Sequence, residues 1–109
     1  MSDNIYDFDF AESATKDILQ IRKYLKDSLK NEQAKRNFET ELNKTIDDIC
    51  AMPTAFSECQ APLLSRKKMR FTLVGDYKVY FIFKTKIKMV YILFVKHAKQ
   101  NVGHRANYN

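Results

Sequence analysis

The residues of this 109-residue chain that could do chemistry lie in its second half. Lys78, His97, Lys99 and His104 are candidate proton carriers and charge stabilisers, with Tyr108 further on. Lys67, Lys68, Arg70, Lys96 and Arg105 are candidate anion-holding groups. A histidine, a tyrosine or a lysine of perturbed pKa can act as general acid or base, and Lys or Arg can offset charge building on a phosphate. Arginine does so through a two-pronged fork, lysine as a point charge. Each type also has a plainer use: strand-end histidines pack, and a run such as Arg66-Lys67-Lys68 is a weak signal for nucleic acid. Other chemistries lack their residues. Cys50 and Cys59 make neither a disulfide framework nor a zinc site, and fit two thiols in a reducing cytoplasm. No HExxH, CxxC, Gly-rich phosphate loop or Ser-His-Asp ordering occurs, so neither metal nor cofactor is expected.

Charge is divided between the two halves. Residues 1–60 hold eight Lys/Arg against twelve Asp/Glu, and residues 61–109 hold eleven against one, Asp76. A small fold with net −4 in one part and net +10 in the other has a polarised surface, which attracts nucleic acid, acidic protein or anionic membrane. The longest apolar run, Met89 to Val95, has strand length, so no membrane span is expected. The acidic N-terminus MSDNIYDFDFAES has no basic n-region and no apolar h-region, unlike a signal peptide. The length suits one domain, with residues 102–109 a polar tail expected to fray.

The elements that must position these residues follow from periodicity. Tyr6, Phe8 and Phe10 alternate with Asp7 and Asp9, a short strand. Ala14, Ile18, Ile21, Leu25 and Leu29 form one helical stripe over residues 12–29. Asp17, Arg22, Lys23, Lys26 and Asp27 take the rest of that helix. Asn31 is the expected N-cap of a second helix over residues 32–51, striped by Ala34, Phe38, Leu42, Ile46 and Ile49 and stopped by Pro53. Residues 53–65 read as irregular. A three-strand meander follows. Met69, Phe71 and Leu73 alternate with Arg70, Thr72 and Val74; Gly75-Asp76 turns the chain; Tyr77, Val79, Phe81 and Phe83 alternate with Lys78, Tyr80, Ile82 and Lys84. Lys68, Arg70 and Lys78 are expected together on a solvent face, with Tyr80 and Tyr91 the candidate rings for stacking on a base. The last strand, about residues 88–96, is apolar on both sides and reads as central. The expected fold is α+β, in the order β-α-α-β-β-β: a small, mostly antiparallel twisted sheet, greasy on one side and basic on the other, against an antiparallel two-helix hairpin.

Three segments carry a resemblance: FAESATKDILQIRKYL, the helix end ICAMP, and MRFTLVGDYKVYFIF followed by VYILFVKHAKQN. In this order they resemble the RelE/ParE superfamily of type II toxin–antitoxin toxins. The third is similar to the strand pattern R-x-x-x-x-x-x-Y-R-V-x-Y and the terminal V-x-H-x-R, with Lys78 and Lys99 where arginine is usual. The resemblance implies a small cytoplasmic growth-inhibiting toxin of the plasmid-stabilisation kind. A cognate antitoxin, expected to be acidic, would wrap the basic sheet face, and operator DNA would be met only through it. RelE-like members cleave messenger RNA in the ribosome without metal; ParE-like members are not enzymes and block DNA gyrase. Enzymatic action is open at this point. In the RelE-like case Lys78, His97, Lys99 and His104 would be the catalytic set. The helical hairpin resembles the ParE branch. The alternative is a non-catalytic basic module that binds nucleic acid or protein.

Overall fold

The computed structural model describes residues 5–28 and 31–100. The chain runs β1 (Asp7–Phe10), α1 (Glu12–Lys23), a π-helical turn (Tyr24–Ser28), α2 (Glu32–Ala51), a 3-10 turn (Pro53–Ala55), β2 (Ser57–Glu58), α3 (Pro62–Arg66), β3 (Arg70–Val74), β4 (Tyr77–Lys84) and β5 (Met89–His97). The strands form one sheet in the order β1-β5-β4-β3-β2. β1 is parallel to β5 and every other pairing is antiparallel. A parallel pair needs a long crossover, and α1 and α2 lie within it. No described helix is long and apolar enough to cross a membrane.

The helix boundaries follow local chemistry. Asn31 caps α2 as expected, its side-chain oxygen accepting from the Ala34 N–H at 3.0 Å. Ala14, Ile21, Leu25, Phe38, Leu42, Ile46 and Ile49 are buried against Val79, Phe81, Val90, Ile92 and Val95 of the sheet. Leu29 lies outside the described residues.

β5 is the hub. β1 covers its outer edge only as far as Ile92. Beyond that α1 takes over: Ala11 N–H donates to Ile92 C=O at 2.8 Å and the Ser13 hydroxyl donates to Leu93 C=O. The Asp17 carboxylate accepts from Val95 N–H at 3.0 Å and from Lys96 Nζ at 3.1 Å. A strand edge left bare would template pairing with another chain. Here a helix side chain closes it. Asp17, expected among the outward residues of the helix, has a side chain only 13% exposed. Leu93 is an extra residue in β5, a bulge opposite the Tyr80/Phe81 step, and it lets Leu93 and Phe94 face one side together.

Two expectations are corrected. Residues 53–65 are not irregular: they contain β2 and the one-turn helix α3, with Pro62 opening that helix and Ser65 N–H closing on Ala61 C=O at 2.8 Å. Elements this short carry too little periodicity to be read. The faces of β3 are also exchanged. The Gly75-Asp76 turn pairs Val74 with Tyr77, so both point under the helices, and Gly75 supplies the positive φ of 59°. Val74 is therefore in the main core, Leu73 is 56% exposed, and Phe71 faces the other side. That other side is not a bare basic face. Cys59, Ala61, Leu64 and Met69 cover Tyr80, with Phe71, Ile82, Leu93 and Phe94 around them. The sheet is thus buried on both sides, over part of its area on the second.

Two substitutions test this frame by chemical denaturation. Asp17→Ala leaves Lys96 and the Val95 N–H without a partner and is expected to cost about 3 kcal/mol, more than Lys96→Ala, which leaves the Asp17–Val95 bond in place. Asn31→Ala is expected to cost about 1 kcal/mol through the lost cap.

Candidate functional site

Cross-strand register decides which candidate side chains can meet. Lys78 stands opposite both Leu73 and Lys96, on the second side of the sheet. Its ammonium lies 4.7 Å from the centre of the Phe71 ring, a cation–π contact. Tyr77 and His97 are opposite one another at the next position, hence on the helix side. Their rings meet edge to face at 5.6 Å. Lys78 and His97 therefore project from opposite faces of the same strand pair.

Arg70 is also placed differently from the expectation. It is opposite Phe81, on the helix side, and does not share a face with Lys78. Its guanidinium donates to Phe56 C=O at 2.6 Å and to the Glu58 carboxylate at 3.1 Å, and stacks 5.7 Å from the centre of the Phe83 ring. With a side chain 19% exposed, it ties the 53–58 segment to the sheet. Lys96 is held by Asp17. Of the expected anion-holding set, Lys67 and Lys68 stand free and exposed after α3, while Arg105 lies outside the described residues.

The far end of β5 forms a shallow cleft of about 300 Å³ lined by Asp17, Tyr24, Tyr77, Lys96, His97 and Gln100, among others. His97 Nδ1 accepts from the Lys99 N–H at 3.2 Å, which leaves Nε2 to carry the imidazole proton when the ring is neutral. Tyr77 is a poor proton donor near neutral pH, because burial pushes its hydroxyl pKa up and nearby Tyr24 and Asp76 add to the rise. Lys99 is exposed in the turn after β5, and His104 and Tyr108 lie outside the described residues. Of this set, the structure joins His97 to the Lys99 backbone and places His97 on the opposite face of the strand pair from Lys78.

The thiols offer no nucleophile. Cys50 and Cys59 are free and buried, and burial raises both pKa values. Asp47 and Asp7 raise that of Cys50 further, while Lys78 pulls that of Cys59 down by a smaller amount. Among the described residues no group of three His, Cys, Asp or Glu side chains could hold a metal ion.

Sequence reasoning passed over Lys84, Lys86 and Lys88, whose period-2 spacing in KTKIK was the available signal. These lysines lie at or beside the β4–β5 turn, all exposed, at the end of the sheet away from His97.

The fold has counterparts among known proteins. The family model described as ParE toxin of type II toxin–antitoxin system, parDE, matches residues 8–102. Among solved structures, the chain is similar to one from the chromosomal ParDE toxin–antitoxin system of P. aeruginosa. The TM-score is 0.67 at 11% identity, over 89% of this chain and all of that one. It is also similar to one from the archaeal RelE–RelB complex of Pyrococcus horikoshii OT3. There the TM-score is 0.55 at 14% identity, over 89% of this chain and 99% of that one. No curated protein matches by sequence. At such low identity the two structures speak for the fold alone; the family rests on the match that spans nearly the whole chain. The protein belongs to the ParE toxin family of type II toxin–antitoxin systems.

Proposed function

We propose that this single-domain toxin arrests bacterial growth in the cytoplasm by binding its target, DNA gyrase, and not by cutting RNA. One observation carries the reading: among the described residues, the groups that RNA cleavage would need are dispersed. Lys78 and His97 leave opposite faces of the β4–β5 pair, and the Arg70 guanidinium is engaged by Phe56 C=O and Glu58. Metal-free cleavage requires a proton acceptor, a proton donor and phosphate-binding cations around one phosphodiester. A toxin that acts by binding needs no such gathering.

The similarity to a RelE–RelB complex and to a ParDE system supports an antitoxin as the second partner. The uncovered part of the second sheet side suits it. Tyr91, Leu93 and Phe94 are half-buried there, Leu73 is exposed, and Lys78 stands at the margin. An acidic amphipathic segment would match both the apolar floor and the cation.

Expression of the chain alone in a bacterial cell is expected to stop growth. The Lys78→Ala/His97→Ala variant, accumulated as soluble protein, is expected to stop it equally, with messenger RNA on ribosomes left intact. If the two residues were a catalytic acid–base pair, the variant would lose roughly a hundredfold or more in cleavage, and toxicity with it. That loss, or no arrest by the unaltered chain, would refute the reading.

A further inference from the structure

We propose that the end of the sheet formed by the α3–β3 turn and the β4–β5 hairpin binds the phosphate backbone of duplex DNA. β3 and β5 both run antiparallel to β4, so the starts of β3 and β5 and the end of β4 share one end of the sheet. Arg66, Lys67 and Lys68 precede β3; Lys84 ends β4; Lys86 and Lys88 lie in the hairpin turn. All six are exposed, and none has a carboxylate partner among the described residues. The acids that strand register brings to this end are already engaged. Glu58 pairs with Arg70, and Asp7 accepts from the Phe8 N–H.

Backbone geometry adds a second observation. Lys68 and Lys88, with φ of 59° and 54°, are the two non-glycine residues of left-handed conformation among the described ones. Glycine or asparagine adopts that conformation more cheaply. Among the described residues the Lys68 ammonium meets no acceptor, and that of Lys88 overlies the Tyr6 ring at 5.3 Å. The fold does not call for lysine at either bend, so the two charges serve something outside it.

The surroundings favour a duplex over the other anionic partners. Single-stranded RNA is held by aromatic rings on which unstacked bases lie. The rings at this end, Tyr6 and Phe83, meet edge to face at 5.9 Å and lie beneath Lys88 and Arg70. An acidic peptide would need apolar anchors, and Ile87, 59% exposed at the hairpin tip, is the apolar side chain presented between these lysines. A regular array of phosphates needs only cations in reach. This contact would be independent of sequence. It lies at the end of the sheet opposite His97 and does not depend on which enzyme the toxin inhibits.

The test is a titration of a short fluorescein-labelled DNA duplex with the purified toxin, read by anisotropy across a series of salt concentrations. Six phosphates neutralised predict a slope of about −5 in log affinity against log salt, which is roughly a thousandfold loss between 50 and 200 mM. Two independent variants, Lys84→Gln/Lys86→Gln/Lys88→Gly and Arg66→Gln/Lys67→Gln/Lys68→Gly, are each expected to flatten the slope by about three and weaken binding at least tenfold. Loss of fold in one, seen by circular dichroism, leaves the other decisive. Lys16→Gln/Lys23→Gln on α1 is expected to change neither quantity. A slope near zero would overturn the proposal. So would a folded triple variant that binds as the unaltered toxin does, or tighter binding at equal salt to single-stranded RNA or polyglutamate.

Discussion

The Asp17 carboxylate fixes the architecture by completing the edge of β5. β5 takes β1 on one side for half its length and β4 on the other for all of it. Where β1 ends, backbone groups of β5 would be left facing solvent beside a helix, and unpaired groups there are costly. Asp17 resolves this by accepting the Val95 N–H and the Lys96 ammonium together. The same contacts set α1 against the sheet, and with it the helical hairpin whose apolar stripe covers Val79, Phe81, Val90 and Ile92. A charge removed from water this far is tolerated because its hydrogen bonds come with it.

Burial on both sides of the sheet then governs where charge can go. The second side carries Tyr80 and its neighbours under the 59–69 segment, so cations within strands are excluded from the middle of that side. Lys78 and Lys96 remain at one margin, each engaged: Lys78 over Phe71, Lys96 with Asp17. Arg66, Lys67, Lys68, Lys84, Lys86 and Lys88 collect at the other end, where turns give long side chains access to water. A chain whose second part carries net +10 thus presents a basic rim around an apolar sheet and not a basic sheet. Lys78 and His97 stay on opposite faces of the β4–β5 pair.

Much of the fold was legible because long amphipathic patterns leave few choices. The stripe from Phe38 to Ile49, the Asn31 cap and the Pro53 stop define α2 without tertiary information. The family resemblance rested on the first helix, the end of the second and the strand pattern of the meander. The faces of β3 were misread because Phe71 and Leu73 compete with Val74, and alternation alone cannot rank two apolar sets. The two-residue turn could have decided it, since it forces Val74 onto the side of Tyr77. Arg70 followed that error onto the wrong face. Asp17 could not be found from periodicity, because its partners lie nearly eighty positions away on a backbone N–H and a lysine. Lys84, Lys86 and Lys88 were passed over because their spacing alone names no neighbour; strand pairing places them at the end of the sheet where β3 begins.

The proposed action of this ParE-family toxin, occupying DNA gyrase without cleaving RNA, can be read out in one reaction. The direct measurement is supercoiling of relaxed plasmid by purified DNA gyrase with increasing amounts of the folded toxin. Supercoiling is expected to fall as toxin is added, with the Lys78→Ala/His97→Ala variant inhibiting alike. Undiminished supercoiling in an excess of folded toxin would contradict it.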